Sequence, residues 1–113
     1  MQNKGVLTNA AAATVELTKL AGYCLSSTHP RGRHKARVFR DALGVEEADA
    51  EWLRDVLLRG LGEFDATEVS EDPYGVRWRV DIPVARHGRW AVVRSIWLVR
   101  GSEPPRFLTC WVL

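Results

Sequence analysis

Val76-Arg77-Trp78-Arg79-Val80-Asp81-Ile82 alternates apolar and charged residues with a period of two, the pattern of a strand covered on one face and wet on the other. Upstream of it the period is that of a helix. Residues 48 to 59 set Trp52, Leu53, Val56 and Leu57 on one stripe, with Asp49 as the expected N-cap and Gly60 and Gly62 ending the run. Residues 33 to 43 form another helical stretch, which Gly44 is placed to close. A shorter helix fits Lys19 to Leu25, stopped by the cluster Ser26 to Gly32, where Pro30 and Gly32 restrict continuation. Downstream, Trp90 to Val99 is apolar on both faces except at Arg94 and Ser95, which predicts a central strand joined to the first across Pro83 to Gly88. Phe107 to Leu113 follows the Gly101 to Pro105 turn as a final strand, and Ala66 to Ser70 fits a weaker one. Helices followed by an antiparallel meander predict an α+β fold, with N-terminal helices packed on a three- to four-stranded antiparallel sheet.

The chain has 113 residues, 46% of them hydrophobic, with five Trp, three Phe and two Tyr, enough apolar bulk for the core of one domain. Residues 1 to 14 are small and polar and read as a flexible lead-in to a single domain over 15 to 113. No segment has the length or apolarity of a membrane span, and no signal-peptide core follows the short alanine run Ala10 to Ala13. No membrane partner and a cytoplasmic location are therefore expected. Cys24 and Cys110 lie in separate apolar segments without C-x-x-C spacing and are expected as two buried free thiols.

Charge is distributed unevenly behind a net value of +2. Residues 19 to 40 carry a net +6, residues 41 to 72 a net −9 and residues 73 to 113 a net +5. The acidic block is either a solvated counterweight or the far side of a basic cleft built from the two outer blocks. Arginine greatly outnumbers lysine, which occurs only at Lys4, Lys19 and Lys35, and arginine suits bidentate contacts to phosphate.

His29-Pro-Arg-Gly-Arg-His-Lys-Ala-Arg-Val-Phe-Arg40 concentrates five cations and two histidines in twelve residues without an acid. On a helical wheel Ala36, Val38, Phe39, Ala42 and Leu43 share one apolar arc, and Lys35 falls in its middle. Arg33, Arg37 and Arg40 share the neighbouring arc, with His34 beyond them. An inward lysine either carries its ammonium out to water or lines a cleft. In a cleft it would face the sheet, where Arg94 on the central strand and the Thr109 hydroxyl could serve the same anion. Cleavage of RNA without a metal needs one group to take the 2′-hydroxyl proton, another to protonate the leaving oxygen, and cations for the crowded phosphorane. His29 or His34, Lys35, Arg94 and Thr109 supply those types, with Arg33, Arg37, Arg40, Arg77 and Arg79 as candidate grips on the substrate backbone. His87, in the turn before Trp90, reads as a solvated residue. No metal-ligand spacing, Gly-rich phosphate loop or G-x-S-x-G elbow is present, so no metal and no cofactor is expected. Trp78, Trp90, Trp97 and Trp111 could stack on unpaired bases, although core packing accounts better for each.

The run Lys19-Leu-Ala-Gly-Tyr-Cys-Leu25, then His29-Pro-Arg-Gly-Arg-His-Lys-Ala-Arg-Val-Phe39 and Leu43-Gly44, resembles a bacterial domain of unknown function that reads roughly KL-x-x-Y-L-L, H-P-x-G-x-x-K-A-x-F-F and L-G. Tyr74-Gly75, Val93-Arg-Ser-Ile-Trp97 and Pro105-Arg-Phe-Leu-Thr109 extend the resemblance over about residues 17 to 109. Such domains occur in toxin-like proteins, and their layout is similar to the barnase, EndoU, colicin and RelE-like RNase superfamily. The resemblance implies a small metal-independent RNase, the toxin of a toxin–antitoxin or polymorphic-toxin system. RNA and an acidic antitoxin or immunity protein are then its partners, and His29, Lys35, Arg94 and Thr109 are the matching positions. Where those domains tend to finish Thr-Ala-Tyr-Pro, this chain has Thr109-Cys-Trp-Val-Leu113, which removes a ring hydroxyl. The alternative of another class is a non-catalytic module that binds an acidic protein or RNA.

Overall fold

The computed structural model describes residues 5–113. The first four residues of the 1–14 lead-in lie outside them. From Gly5 onward the segment packs on the domain: Leu7 joins the core, Asn9 donates its amide to the Ser102 carbonyl, and Thr14 bridges to Arg106 beside the last strand.

Three helices lie against one face of a four-stranded antiparallel sheet, an α+β architecture with the helices first in the chain. Helix α1 (Leu17–Lys19) runs into a π-helical turn (Leu20–Cys24), in which the Leu25 N–H reaches back to the Leu20 carbonyl at 2.7 Å. Helix α2 (Arg33–Leu43) ends where predicted, because Gly44 takes a left-handed φ of 67° and its N–H reaches the Arg40 carbonyl. Helix α3 (Ala50–Leu61) follows a short 3-10 turn (Glu47–Asp49). Asp49 precedes α3 without capping it through its side chain. Its carboxylate instead accepts from the Glu46 N–H at 2.9 Å and from Arg86 at 3.1 Å.

Strands β1 (Ala66–Asp72), β2 (Gly75–Arg86), β3 (Arg89–Val99) and β4 (Arg106–Val112) pair in sequence order. The connection expected over Pro83 to Gly88 is much tighter: β2 continues to Arg86, and only His87 and Gly88 turn. Both take positive φ, 52° and 77°, the requirement of a two-residue turn whose twist matches the flanking strands. This turn sets Arg86 opposite Arg89 and, counting back, Asp81 opposite Arg94.

Alternation then divides the sheet into two faces. Val80, Ile82, Val93, Ser95, Trp97, Phe107 and Cys110 are buried against Leu20, Phe39, Leu43, Leu53 and Leu57 from the helices. Arg77, Arg79, Asp81 and Arg94 point to the other face, over which no described element lies. Of the predicted α2 apolar arc, Ala36, Phe39 and Leu43 are buried while Val38 stays 43% exposed. No described helix is long and apolar enough to cross a membrane.

Candidate functional site

The lysine in the apolar arc of α2 reaches the last strand. Lys35 Nζ donates to Thr109 Oγ1 at 3.2 Å, and two ring faces flank the ammonium, Tyr23 at 5.0 Å and Trp111 at 5.1 Å. Each ring attracts a cation through its quadrupole. Lys35 is half-buried and, with His34, Val38, Trp111 and Val112, lines a concavity of about 370 Å³.

The chain segment before α2 builds one wall. The π-helical turn carries Tyr23 to the ammonium while Leu20 and Cys24 remain in the core, and such turns recur at functional positions. Gly32 permits the approach of α2, since a Cβ there would stand 2.0 Å from the Tyr23 carbonyl oxygen. His29 fixes the same corner. Its Nδ1 accepts the N–H groups of Arg31 and Gly32, both at 3.0 Å, and its ring meets Tyr23 edge-on at 4.8 Å. An accepting Nδ1 leaves Nε2 to carry the ring proton. His29 thus touches the ring that flanks Lys35, whereas the exposed His34 lines the concavity itself.

Below the lysine lies a pair of thiols. Cys24 Sγ stands 3.7 Å from Thr109 Oγ1, and both cysteines are buried and free. A hydrogen bond from the Cys110 side chain, aided by Thr109 and the Lys35 charge, outweighs burial and lowers the Cys24 thiol to about 6. Burial pushes Cys110 well above the ordinary thiol value. The pair therefore gives up one proton readily and holds the other.

Arg94, expected across the helix–sheet gap from Lys35, does not lie there. Its neighbours Val93 and Ser95 are buried beneath the helices, so alternation turns Arg94 to the uncovered face. There Nε and Nη2 clasp both oxygens of Asp81, each at 2.9 Å, and Arg79 Nε stands 3.9 Å from the same carboxylate. The Arg94 hydrogen bonds hold the Asp81 carboxyl below its usual range and raise Arg94 in return. Register joins the two groups through Trp111, the cross-strand partner of Arg94 and the ring beside Lys35.

The five candidate backbone grips divide between two surfaces. Arg33, Arg37 and Arg40 line a concavity of about 710 Å³ together with Glu46, Glu47 and Asp49, so carboxylates already face that ridge. Arg77 and Arg79 lie on the uncovered face of the sheet, where Arg77 pairs with Asp72. His87 is exposed at the hairpin tip.

Residue-by-residue reading does not bring Tyr23, Cys24 or Trp111 to Lys35: it gives Cys24 only as a buried thiol and Trp111 only as a possible stacking ring. The tyrosine of the KL-x-x-Y pattern was a signal for the first, and the altered chain end pointed to the third. Nothing local marks Cys24, because its neighbours come from β4. Among the tryptophans, Trp97 is core at 0% exposure, whereas Trp90 is 70% exposed, against the expectation of packing.

A family model described as a domain of unknown function (DUF6883) matches residues 6–113. No curated protein and no solved structure matches the chain.

Proposed function

The chain belongs to the DUF6883 family, and from the geometry of its own site we propose that it is a small metal-independent ribonuclease acting as a toxin. The observation that carries this reading is Lys35, an ammonium held between two rings and a hydroxyl at the rim of a concavity that His34 shares. Thr109 accepts a hydrogen bond from one of its three N–H groups, leaving donors for an oxygen of a phosphodiester. In the cleavage step the 2′-oxygen attacks phosphorus as its proton passes to a base. The phosphorus–5′-oxygen bond breaks, the 5′-oxygen takes a proton, and a 2′,3′-cyclic phosphate remains. Lys35 stabilises the negative charge that builds on the phosphorane. His34 is the imidazole placed to exchange protons with a ligand in the concavity. His29, with Nδ1 committed to backbone, positions Tyr23, and Arg94, whose Nε and Nη2 are held by Asp81, offers Nη1 on the sheet side of Trp111.

The test is incubation of the purified protein with RNA in the presence of a chelator. The parent is expected to cut, and Lys35→Ala to cut at least about a hundredfold more slowly, as expected when a preorganised charge is removed. A Lys35→Ala protein as active as the parent, or a parent that never cuts, overturns the reading.

The second reading is a non-catalytic module that binds RNA or an acidic protein, and the observation favouring it is Trp111, which puts an indole where the resembling domains carry a tyrosine. Salt-sensitive RNA binding without turnover selects it. In the toxin reading the neutralising partner is an acidic antitoxin or immunity protein, and a short acidic reading frame next to this gene is expected.

A further inference from the structure

Trp90 keeps 70% of its surface in water, and Leu113 keeps 60%. Both flank the uncovered face of the sheet. Trp90 lies four residues before Arg94 on β3, and the Leu113 N–H pairs with the Val92 carbonyl at 2.9 Å. Trp111 is the cross-strand partner of Arg94. Register sets both tryptophans on one side of the sheet, about 14 Å apart at the usual strand rise and spacing, with Leu113 between them, and the Trp111 ring stands at the β4 edge beside Lys35. The same register adds Arg77, Arg79 and Arg106 to this face, so that with Arg94 it carries four arginines against two acids, Asp81 and the strand-end Asp72 that pairs with Arg77.

An exposed indole costs hydration that burial against the helices would have removed, and β3 had that option at its alternate positions. Aromatic faces spaced along a positively charged surface are instead what single-stranded nucleic acid requires. Each base has a π-face to stack, and each phosphate needs a cation. A second copy of this chain laid on the same surface would bring its own arginines against these.

We propose that Trp90 and Trp111 are two stacking positions for unpaired bases of a single-stranded RNA, whose backbone crosses the sheet at Arg94 and enters the concavity at Lys35. The inference rests on the ribonuclease reading and names its substrate as single-stranded. Trp111 holds the nucleotide at the reacting phosphate and Trp90 one further along. Trp90 is then a specificity residue remote from the chemistry, worth binding energy and not proton transfer.

The test uses a 2′-O-methyl RNA octamer, which lacks the attacking hydroxyl, with binding followed by fluorescence anisotropy. The parent is expected to bind the single strand and to prefer it over a duplex of the same sequence. Trp90→Ala should weaken binding about tenfold, within the range for loss of one stacked base, and Trp90→Phe should restore most of it. With cleavable RNA, Trp90→Ala should raise KM more than it lowers kcat. Sedimentation and circular dichroism check that the variant is folded. Trp90→Ala binding as the parent does overturns the stacking site and leaves the ribonuclease reading standing. A parent that binds no RNA overturns both. A parent that self-associates, and loses this with Trp90→Ala while RNA binding is unchanged, assigns the face to a second copy and overturns the proposal.

Discussion

Ser95 shows how little freedom one polar group in the core has. Its Oγ donates to the Val80 carbonyl at 2.7 Å and accepts the Trp97 Nε1–H at 2.9 Å, all at 0% exposure. Ser95→Ala should cost about 1–3 kcal/mol in denaturant unfolding, because the buried indole N–H loses its partner. Cys24 makes a pH prediction. Its thiol lies near 6 in the fold and near 9.0 as an ordinary thiol. Below pH 6 both states are protonated and nothing is gained. Between 6 and 9 the folded protein has released a proton that the unfolded chain keeps, so stability rises with pH, by at most about 1.4 kcal/mol per unit. Parent and Cys24→Ala, unfolded in urea at pH 5.5, 7 and 8.5, should diverge in favour of the parent as pH rises. The opposite trend would place the thiolate elsewhere. At this scale Lys35 was legible, since an apolar arc interrupted by one cation is visible on a wheel. Its partners were not, because Thr109 and Trp111 arrive from the other end of the chain.

Two glycines govern how elements approach. A Cβ at Gly60 of α3 would stand 2.6 Å from Ile82 Cδ1 on β2. Gly60→Ala is expected to destabilise by about 1–3 kcal/mol, the range for overpacking, as read from the thermal or urea midpoint. At Gly32 the obstacle would be backbone at 2.0 Å, so the start of α2 must move away from Tyr23. If the protein is the proposed ribonuclease, Gly32→Ala should therefore damage cleavage more than its stability loss explains, measured well below the melting temperature. Helices α2 and α3 and all four strands were readable from period and punctuation. The pairing of Asp81 with Arg94 is hidden by a connection spread over Pro83 to Gly88. Reading His87-Gly88 as the two-residue turn would have forced 86 opposite 89 and therefore 81 opposite 94.

Across the whole molecule, net charge of +2 conceals two basic surfaces of different character. The α2 ridge looks into Glu46, Glu47 and Asp49, while the sheet face keeps an excess of arginine. If RNA lies on the sheet, Arg106→Ala should lower the slope of log affinity against log salt by about one, whereas Arg33→Ala with Arg37→Ala should leave it unchanged. The reverse pattern would put RNA on the helix layer. The division was illegible in sequence, because block charges cannot say which face of a layered fold a residue joins. Arg86 ties the layers at one end, stacking on Trp52 at 4.7 Å and bridging Asp49 to the sheet. At the other end Thr14 bridges to Arg106 beside β4, and Lys19 Nζ donates to the Phe107 carbonyl at 2.9 Å. That occupied border leaves β1 as the free side of the sheet, where a register irregularity lies between Glu68 and Ser70 and acidic residues at Glu68 and Glu71 interrupt it. Growth of the sheet by an added strand is therefore discouraged along β1 and at the Arg106–Phe107 end of β4.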